Sequence, residues 1–197
     1  IDVHLLSHAH WDHVQNIDVF DHAPLLLHRD EIRYSHNPHR NDWATPRWTG
    51  AILDTIEGLQ ETGEGDEIMP GCRVIELIGH SPGSIALEVE TDDGLCVLVG
   101  DALHSAGVAL SGKCPLVFWD AEKANAAIKR VVDLDAIIYP GHDLPFRIND
   151  REITYVAETD VSVSGGPNVR WVDPPKNPPV TEPWIMPGIE DQSLPPD

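Results

Sequence analysis

The 197-residue chain carries 33 acidic against 13 basic residues, which gives a formal net charge of −20 at pH 7. This acidic balance argues against binding to the nucleic acid backbone. No apolar run approaches the roughly 18 residues of a membrane-spanning helix, so we expect no membrane partner. The length suits one domain that buries a substantial core.

The first part of the chain predicts two strands and two helices. Strands are expected over residues 3–7 and 24–28, and a helix is expected to begin over residues 11–16. A polar and aromatic insert over residues 36–48 leads to a second helix near residues 51–60.

The later part of the chain predicts a sheet and one long helix. Apolar runs rich in β-branched residues indicate buried strands at residues 74–78, 95–99 and 136–139. The strand predicted over residues 84–90 is joined to the next one through Asp93-Gly94, a strong hairpin signal. Asp120 is a suitable N-cap for a helix over residues 121–132, whose apolar residues share one face.

The end of the chain is rich in proline. From residue 165 onward it holds nine of its 17 prolines, so we expect no regular elements there. The segment is an extended arm or a disordered end. Its apolar anchors favour a wrap over the domain or over a dimer mate rather than free disorder: Trp171, Trp184, Ile185 and Met186. We therefore divide the chain into a domain over residues 1–164 and a Pro-rich C-terminal arm over residues 165–197.

Metal-ligand residue types crowd the segment that follows the first predicted strand: His8, His10, Asp12 and His13. On an extended stretch His8 and His10 project to the same side. Entry into the helix then turns Asp12 and His13 toward a second position. Neutral imidazole and carboxylate suit Zn²⁺ and similar cations, so this segment predicts ligands for two ions.

Three later segments each place a ligand candidate after a glycine at the end of a predicted strand: Gly79-His80, Gly100-Asp101 and Gly141-His142. The ends of neighbouring strands converge at one edge of a sheet, and glycine lets the backbone turn sharply there. Two ions held about 3.5 to 4 Å apart can share one hydroxide. The sequence therefore predicts a two-metal hydrolytic centre.

This pattern resembles the metallo-β-lactamase superfamily over about residues 1–145. The resemblance implies an α/β fold, an αββα sandwich, with two Zn²⁺ as cofactors; Fe, Mn or Co are other possible divalent metals. It implies two ligand sets and a bridge, namely His8, His10 and His80 for the first metal, Asp12, His13 and His142 for the second, and Asp101 between them.

The resemblance also implies a mechanism. Two cations lower the pKa of a shared water and polarise the substrate carbonyl, and Asp12 then passes a proton to the leaving group. The expected reaction is the opening of a lactone or the cleavage of another activated ester. Alternatives are a glyoxalase II-like thioester hydrolase, an iron-dependent persulfide dioxygenase-like enzyme and a non-catalytic binding remnant of the fold.

The insert over residues 36–48 resembles the lid region of N-acyl homoserine lactonase-like enzymes. Trp43 and Trp48 then wall an acyl pocket or, alternatively, pack the insert onto its own domain, and Trp11 faces the mouth of the site. His104 stands three residues after Asp101, where such lactonases often carry a tyrosine. It either bonds to the substrate and moves protons or is a solvent-facing loop residue.

Members of the superfamily carry several strands before the His-x-His-x-Asp-His motif, whereas this chain starts at Ile1. An N-terminal part is therefore expected to be missing, and a homodimer or an N-terminal partner fragment is expected to complete the sheet. Cys72, Cys96 and Cys114 lack a Cys-x-x-Cys spacing and lie in or beside apolar segments. They predict buried free thiols and a cytoplasmic setting.

Overall fold

The structure, a computed structural model, describes residues 1–158 and 182–194. In chain order its elements are β1 (His4–Leu5), α1 (Trp11–Val14), β2 (Leu25–His28), α2 (Arg29–His36), α3 (Thr49–Leu53), β3 (Leu59–Thr62), β4 (Glu67–Met69), β5 (Cys72–Glu76), β6 (Ile85–Thr91), β7 (Gly94–Gly100), α4 (Ala106–Ser111), β8 (Leu116–Val117), α5 (Ala121–Val132), β9 (Ala136–Pro140), β10 (Phe146–Asn149), β11 (Glu152–Tyr155), β12 (Trp184–Ile185) and a 3₁₀ helix (Ile189–Asp191).

Two sheets form the centre of the fold. The smaller one has the parallel strands β1-β2-β3, and the larger one has the order β11-β10-β9-β7-β6-β5-β4. In the larger sheet β7 and β9 run parallel, whereas β5 and β7 both run antiparallel to β6. Strands β5, β7 and β9 therefore all end at the same edge.

Helices cover each sheet and bury its apolar face. Val97, Val99 and Ile138 of the larger sheet form a core with residues of α4 and α5, and Leu25 and Leu27 of the smaller sheet pack with Leu53 of α3. The backbone N–H of Ile85 donates to Ser7 O over 2.9 Å and joins the two sheets. The predicted αββα fold is confirmed.

Local signals predicted several elements well. Helix α5 has the predicted bounds, and Asp120 Oδ1 accepts from the N–H groups of Glu122 and Lys123. Strands β6 and β7 form the predicted hairpin, with Thr91 opposite Gly94.

Two expectations for the first part of the chain need correction. The helix predicted near residues 51–60 is wrong after Leu53, where α3 ends, and the chain goes on to form β3 from Leu59. Pairing of Leu59 with Leu25 in a parallel ladder overrides the local helical pattern. Sequence reasoning also missed α2, which His28 caps by accepting the N–H of Asp30.

The expectation of no regular elements after residue 165 is wrong for residues 184–191. Strand β12 pairs in parallel with β8, and Met186 is buried with Phe118 and Ala44. Asn41 Nδ2 donates to Pro187 O over 2.7 Å, so the described part of the tail does wrap over the domain. Trp171, the prolines between residues 167 and 179, and the predicted boundary at residue 164 lie outside the described residues.

All three cysteines are free thiols, with Cys96 and Cys114 buried and Cys72 half-buried. Burial raises the pKa of the Cys114 thiol to about 12. Within residues 1–158 and 182–194, no helix has the length and apolar character needed to cross a membrane.

Candidate metal centre

The predicted ligand side chains lie together at the edge where β5, β7 and β9 end. They form two groups, and within each group one ligand atom per residue lies within 4.8 Å of the others: a first group of His8, His10 and His80, and a second group of Asp12, His13, Asp101 and His142. A third set, His80, Asp101 and His104, overlaps both.

The segment between β1 and α1 is fixed through the backbone of the residues that alternate with the ligands. The N–H of Ala9 donates to Glu31 Oε1, and the N–H of Trp11 donates to Ala44 O, both over 2.8 Å. The side chains of the flanking His8 and His10 are buried, at 1% and 3% exposure.

Glycines shape the strand ends, each in its own way. Gly100 has a φ of +50°, in the left-handed region, at the point where β7 gives way to Asp101. At Gly141 the reason is space, because a Cβ there would lie 2.2 Å from Asp101 Oδ1. The predicted role of glycine as a turn residue therefore holds at Gly100, whereas Gly141 makes room for the carboxylate.

The first group is closely packed. His80 Nε2 lies 2.9 Å from His10 Nδ1, and the ring centroids of His8 and His10 are 4.5 Å apart. His80 Nδ1 donates to Leu116 O over 2.7 Å, which leaves the lone pair of Nε2 directed at the group. A backbone partner of this kind is the usual support of a metal-binding histidine.

Burial keeps the first group neutral. Desolvation and the neighbouring imidazoles lower the pKa values of His8 and His10 well below the ordinary value. Desolvation likewise lowers the pKa of His80 to about 4. Neutral imidazoles are the form that binds a cation.

Asp101 lies between the two groups. Its Oδ2 is 3.7 Å from His80 Nε2 in the first group, and its Oδ1 is 3.4 Å from His13 Nε2 and 3.1 Å from His142 Nε2 in the second. Burial acts to raise the pKa of Asp101, but His13 and the other nearby imidazoles outweigh it and hold the pKa well below its usual range. The carboxylate is therefore ionised and faces both groups.

Buried side-chain atoms without a hydrogen-bond partner gather at this edge. Among the described residues they include His8 Nε2, His10 Nε2, His13 Nε2, Asp101 Oδ1 and both ring nitrogens of His104. Buried polar atoms are normally paired, so their concentration at one place calls for a partner there. Imidazole nitrogens and carboxylate oxygens are donors suited to zinc and other first-row divalent cations, so the residues present fit two such ions.

His104 is buried rather than solvent-facing, so the alternative of an exposed loop histidine is wrong. It is 9% exposed, its ring stacks on that of His142 with centroids 5.5 Å apart, and its Nε2 lies 3.3 Å from Asp101 Oδ2. Desolvation lowers the pKa of His104.

The predicted tryptophans differ in their placement. Trp11 is 50% exposed at the start of α1, between the two ligand pairs of the motif. The ring centroid of Trp43 lies 5.1 Å from that of Phe118, which in turn lies 4.6 Å from that of His10. Trp48 is the residue before α3, and its ring has no aromatic contact with this cluster within the described residues.

Comparison with known proteins agrees with this geometry. The model of a family described as the metallo-beta-lactamase superfamily matches residues 1–142. The chain belongs to this superfamily. This confirms the family resemblance that the sequence motif indicated.

Relatives within the superfamily include lactonases. An N-acyl homoserine lactonase of Bacillus cereus is 30% identical over 144 residues, which cover 70% of this chain and 54% of the relative. Metallo-beta-lactamase domain-containing protein 1 of Xenopus laevis is 32% identical over 148 residues, 73% of this chain and 54% of the relative. The chain thus spans about half the length of these curated relatives.

One similar solved structure has a reaction product at its metal centre. An N-acyl homoserine lactone hydrolase with the product N-hexanoyl-L-homoserine bound at its catalytic metal centre is 26% identical, with a TM-score of 0.60. The match covers 71% of this chain and 54% of that one.

Three residues that sequence reasoning did not assign to the site lie next to the two ligand groups. Phe118 packs on His10, and Trp184 of β12 packs on Phe118 with centroids 5.1 Å apart. Glu31 is fully buried and bonded to the segment that carries His8 and His10. The apolar residues around Trp184 indicated in the sequence that this segment is buried, but they did not indicate where it packs.

Proposed function

We propose that this chain is the metal-binding part of a dinuclear metal-dependent hydrolase that opens lactones or cleaves other activated esters. The observation that carries the proposal is the pair of ligand groups on either side of the buried Asp101, in which His8 Nε2, His10 Nε2, His13 Nε2 and Asp101 Oδ1 are buried without a hydrogen-bond partner. Lactonase relatives at about 30% identity support the lactone as substrate class.

The proposed ligands follow the two groups. His8, His10 and His80 would hold one cation, Asp12, His13 and His142 would hold the other, and Asp101 would serve both. Zn²⁺ is the first choice because the donors are imidazole nitrogens and carboxylate oxygens, and Fe, Mn or Co suit the same donors. When bound, two such cations supply a nucleophile at neutral pH and Lewis-acid stabilisation of negative charge on the carbonyl oxygen.

Substrate enters on the side of the second group. The side chains of Asp12 and His142 are 28% and 48% exposed, whereas that of His80 is 1% exposed. Asp12 Oδ2, 3.5 Å from His142 Nε2, is on this open side and is placed to hand a proton to the leaving oxygen.

His104 is the second candidate for contact with the reacting atoms. Both of its ring nitrogens are buried and unpaired beside Asp101, so a substrate oxygen is a suitable partner for either of them. It orients the substrate by a hydrogen bond.

Aromatic side chains form the acyl side of the proposed site. Trp43 and Trp184, with centroids 5.8 Å apart, both pack on Phe118 beside His10. Trp43 is 58% exposed and Trp11 50%, so each offers a free apolar face to an acyl chain.

The test combines metal analysis with substrate turnover. The full chain is purified without added metal, its metal content is measured by mass spectrometry, and a panel of N-acyl homoserine lactones, aryl esters and glutathione thioesters is assayed. The proposal predicts two divalent cations per chain and turnover of lactones or aryl esters.

Other results would point to the alternatives. Two metals with turnover of glutathione thioesters alone indicate a glyoxalase II-like enzyme, and one iron without hydrolysis indicates sulfur oxidation. No metal and no turnover indicate a non-catalytic remnant. The cytoplasmic setting and the homodimer or partner fragment stay predictions.

A further inference from the structure

Glu31 of α2 is a carboxylate at 0% exposure that belongs to neither ligand group. It follows the N-cap of α2 by three positions, where an acidic residue would ordinarily face solvent. Burial raises the pKa of Glu31, so this location disfavours its charged form. A carboxyl group buried in this way depends on hydrogen bonds that compensate for the lost water.

The carboxylate joins the two loops that carry the first ligand group. Oε1 accepts the backbone N–H of Ala9 over 2.8 Å. Oε2 accepts the hydroxyl of Ser81 and the backbone N–H of Gly83, each over 2.8 Å. Each of the two oxygens is therefore committed to a different loop.

The partners of Glu31 are next to the ligands in sequence. Ala9 lies between His8 and His10, and Ser81 directly follows His80. A shift of the carboxylate therefore displaces the backbone beside every member of the first group. Among the described residues Glu31 makes no hydrogen bond to a residue beside Asp101 or His142. His13 of the second group is linked to Glu31 indirectly, through its backbone N–H, which donates to His10 O over 2.9 Å.

The loop that carries Ser81 and Gly83 packs directly on α2 at Glu31. A Cβ on Gly83 would lie 2.6 Å from Glu31 N and 2.8 Å from Glu31 Cβ. This close approach lets the backbone N–H of Gly83 reach the carboxylate. Ser84 Oγ, 2.7 Å from Ser81 Oγ, completes the polar contacts of the loop.

We infer that Glu31 is a positioning residue that sets the spacing between the His8–His10 segment and the His80 loop, and so the affinity of the first ligand group for its cation. The inference rests on the proposed function, because it assigns Glu31 to one of the two proposed cations. Glu31 itself touches neither cation nor substrate.

The substitution Glu31→Gln separates this role from simple packing. Glutamine has the same shape but only one acceptor oxygen, so it can serve Ala9 or the Ser81–Gly83 side, and its amide NH₂ faces a donor on the other. Glu76→Gln is the matched control, since Glu76 Oε1 accepts from His28 Nε2 over 3.1 Å at the start of the same helix and makes no hydrogen bond to Ala9, Ser81 or Gly83.

The experiment measures the affinity for Zn²⁺ by competition with a chromophoric chelator, in the full chain and in a His142→Ala background that weakens the second group. We expect Glu31→Gln to lower the affinity of the first group about 10- to 100-fold, as loss of a ligand-supporting partner does. Glu76→Gln is expected to leave it unchanged. Ser81→Ala, which removes one of three donors, is expected to lower it about two- to tenfold, the value of one hydrogen bond.

Thermal unfolding of the metal-free variants separates positioning from folding. Equal affinities of the Glu31→Gln and parent chains would overturn the inference and leave the proposed function standing. The inference would also be overturned if Glu31→Gln lowered the Zn²⁺ affinity of both groups equally and lowered the Tm of the metal-free chain to match. If Glu31→Gln does not fold, an unchanged affinity in Ser81→Ala overturns the inference. A parent chain that binds no cation contradicts the proposed function instead.

Discussion

The two ligand groups differ in how the protein holds them. The side chains of the first group are almost fully buried, and their loops are tied to Glu31 and, through His80, to Leu116 O. In the second group His13 is 19%, Asp12 28% and His142 48% exposed, and only Asp101 is buried. One edge of the sheet thus carries a closed position and an open one.

This difference teaches how one site can both retain a metal and receive a substrate. Ligands that are fixed before binding lose little freedom when a cation arrives, so the closed group is expected to bind more tightly. Ligands in contact with solvent leave room for a substrate and for proton exchange. We expect the first group to anchor the centre and the second to carry the exchangeable part of the chemistry.

The largest effect is expected at Asp101. This residue faces both ligand groups, so its loss should affect the closed and the open position together. Asp101→Ala removes the carboxylate between them, so the second cation and about a thousandfold or more of lactone turnover should be lost. The loss of the cation is measured as metal content, and the loss of turnover is measured as kcat/KM. Asp101→Asn keeps the shape without the charge and is the control; two-metal turnover retained in Asp101→Ala refutes the bridging role.

A smaller effect should separate the two groups directly. His80→Ala is expected to reduce affinity for the tighter cation at least about tenfold more than His142→Ala does for either, since a buried partner loses more on truncation than an exposed one. Chelator competition on both variants measures this. Equal losses would show that burial does not set the order of affinity.

The aromatic wall offers a third test, confined to substrate binding. Trp43→Ala and Trp184→Ala each remove a large apolar surface, and we expect about a tenfold rise in KM for long-chain lactones, with kcat and short-chain lactones little changed. Trp48→Ala is the matched control. A comparable rise in the control would mean that the effect is not local to the Phe118 cluster.

The smallest effect is expected outside both groups, at the exposed pair of His36 and Asp54. Their hydrogen bond, 2.9 Å long, raises the pKa of His36, so its contribution to stability is complete below the ordinary pKa of 6.5 and is lost as the pH rises through the raised value. An NMR titration of the His36 ring measures this pKa. Asp54→Asn should return it toward 6.5; no change would remove Asp54 as the cause.

The sequence predicted what local patterns determine. The features that local sequence predicted each involve residues close in the chain. They are the His8–His13 motif, the glycines before Asp101 and His142, the Asp93-Gly94 hairpin and the Asp120 cap. Family resemblance added the order of the distant ligands. Their roles as metal ligands stay predictions until a metal is measured.

The remainder depends on contacts between distant residues. Strand β3 forms because Leu59 pairs beside Leu25, and β12 forms because Trp184 pairs beside Leu116. Glu31 meets Ser81 at a separation of 50 residues, and no local pattern marks that meeting. A single acidic residue in the first turn of a helix looks the same in sequence whether it faces solvent or braces a ligand loop.

The most direct test of the two-group account is a stepwise chelation of the full chain, with metal content and lactone turnover followed together. The account predicts that one cation leaves first, that turnover falls with it, and that the other cation stays bound at higher chelator concentration. In a Glu31→Gln chain the two cations should leave at chelator concentrations that are closer together. Loss of both cations in one step, or turnover that survives the first loss, would contradict the account.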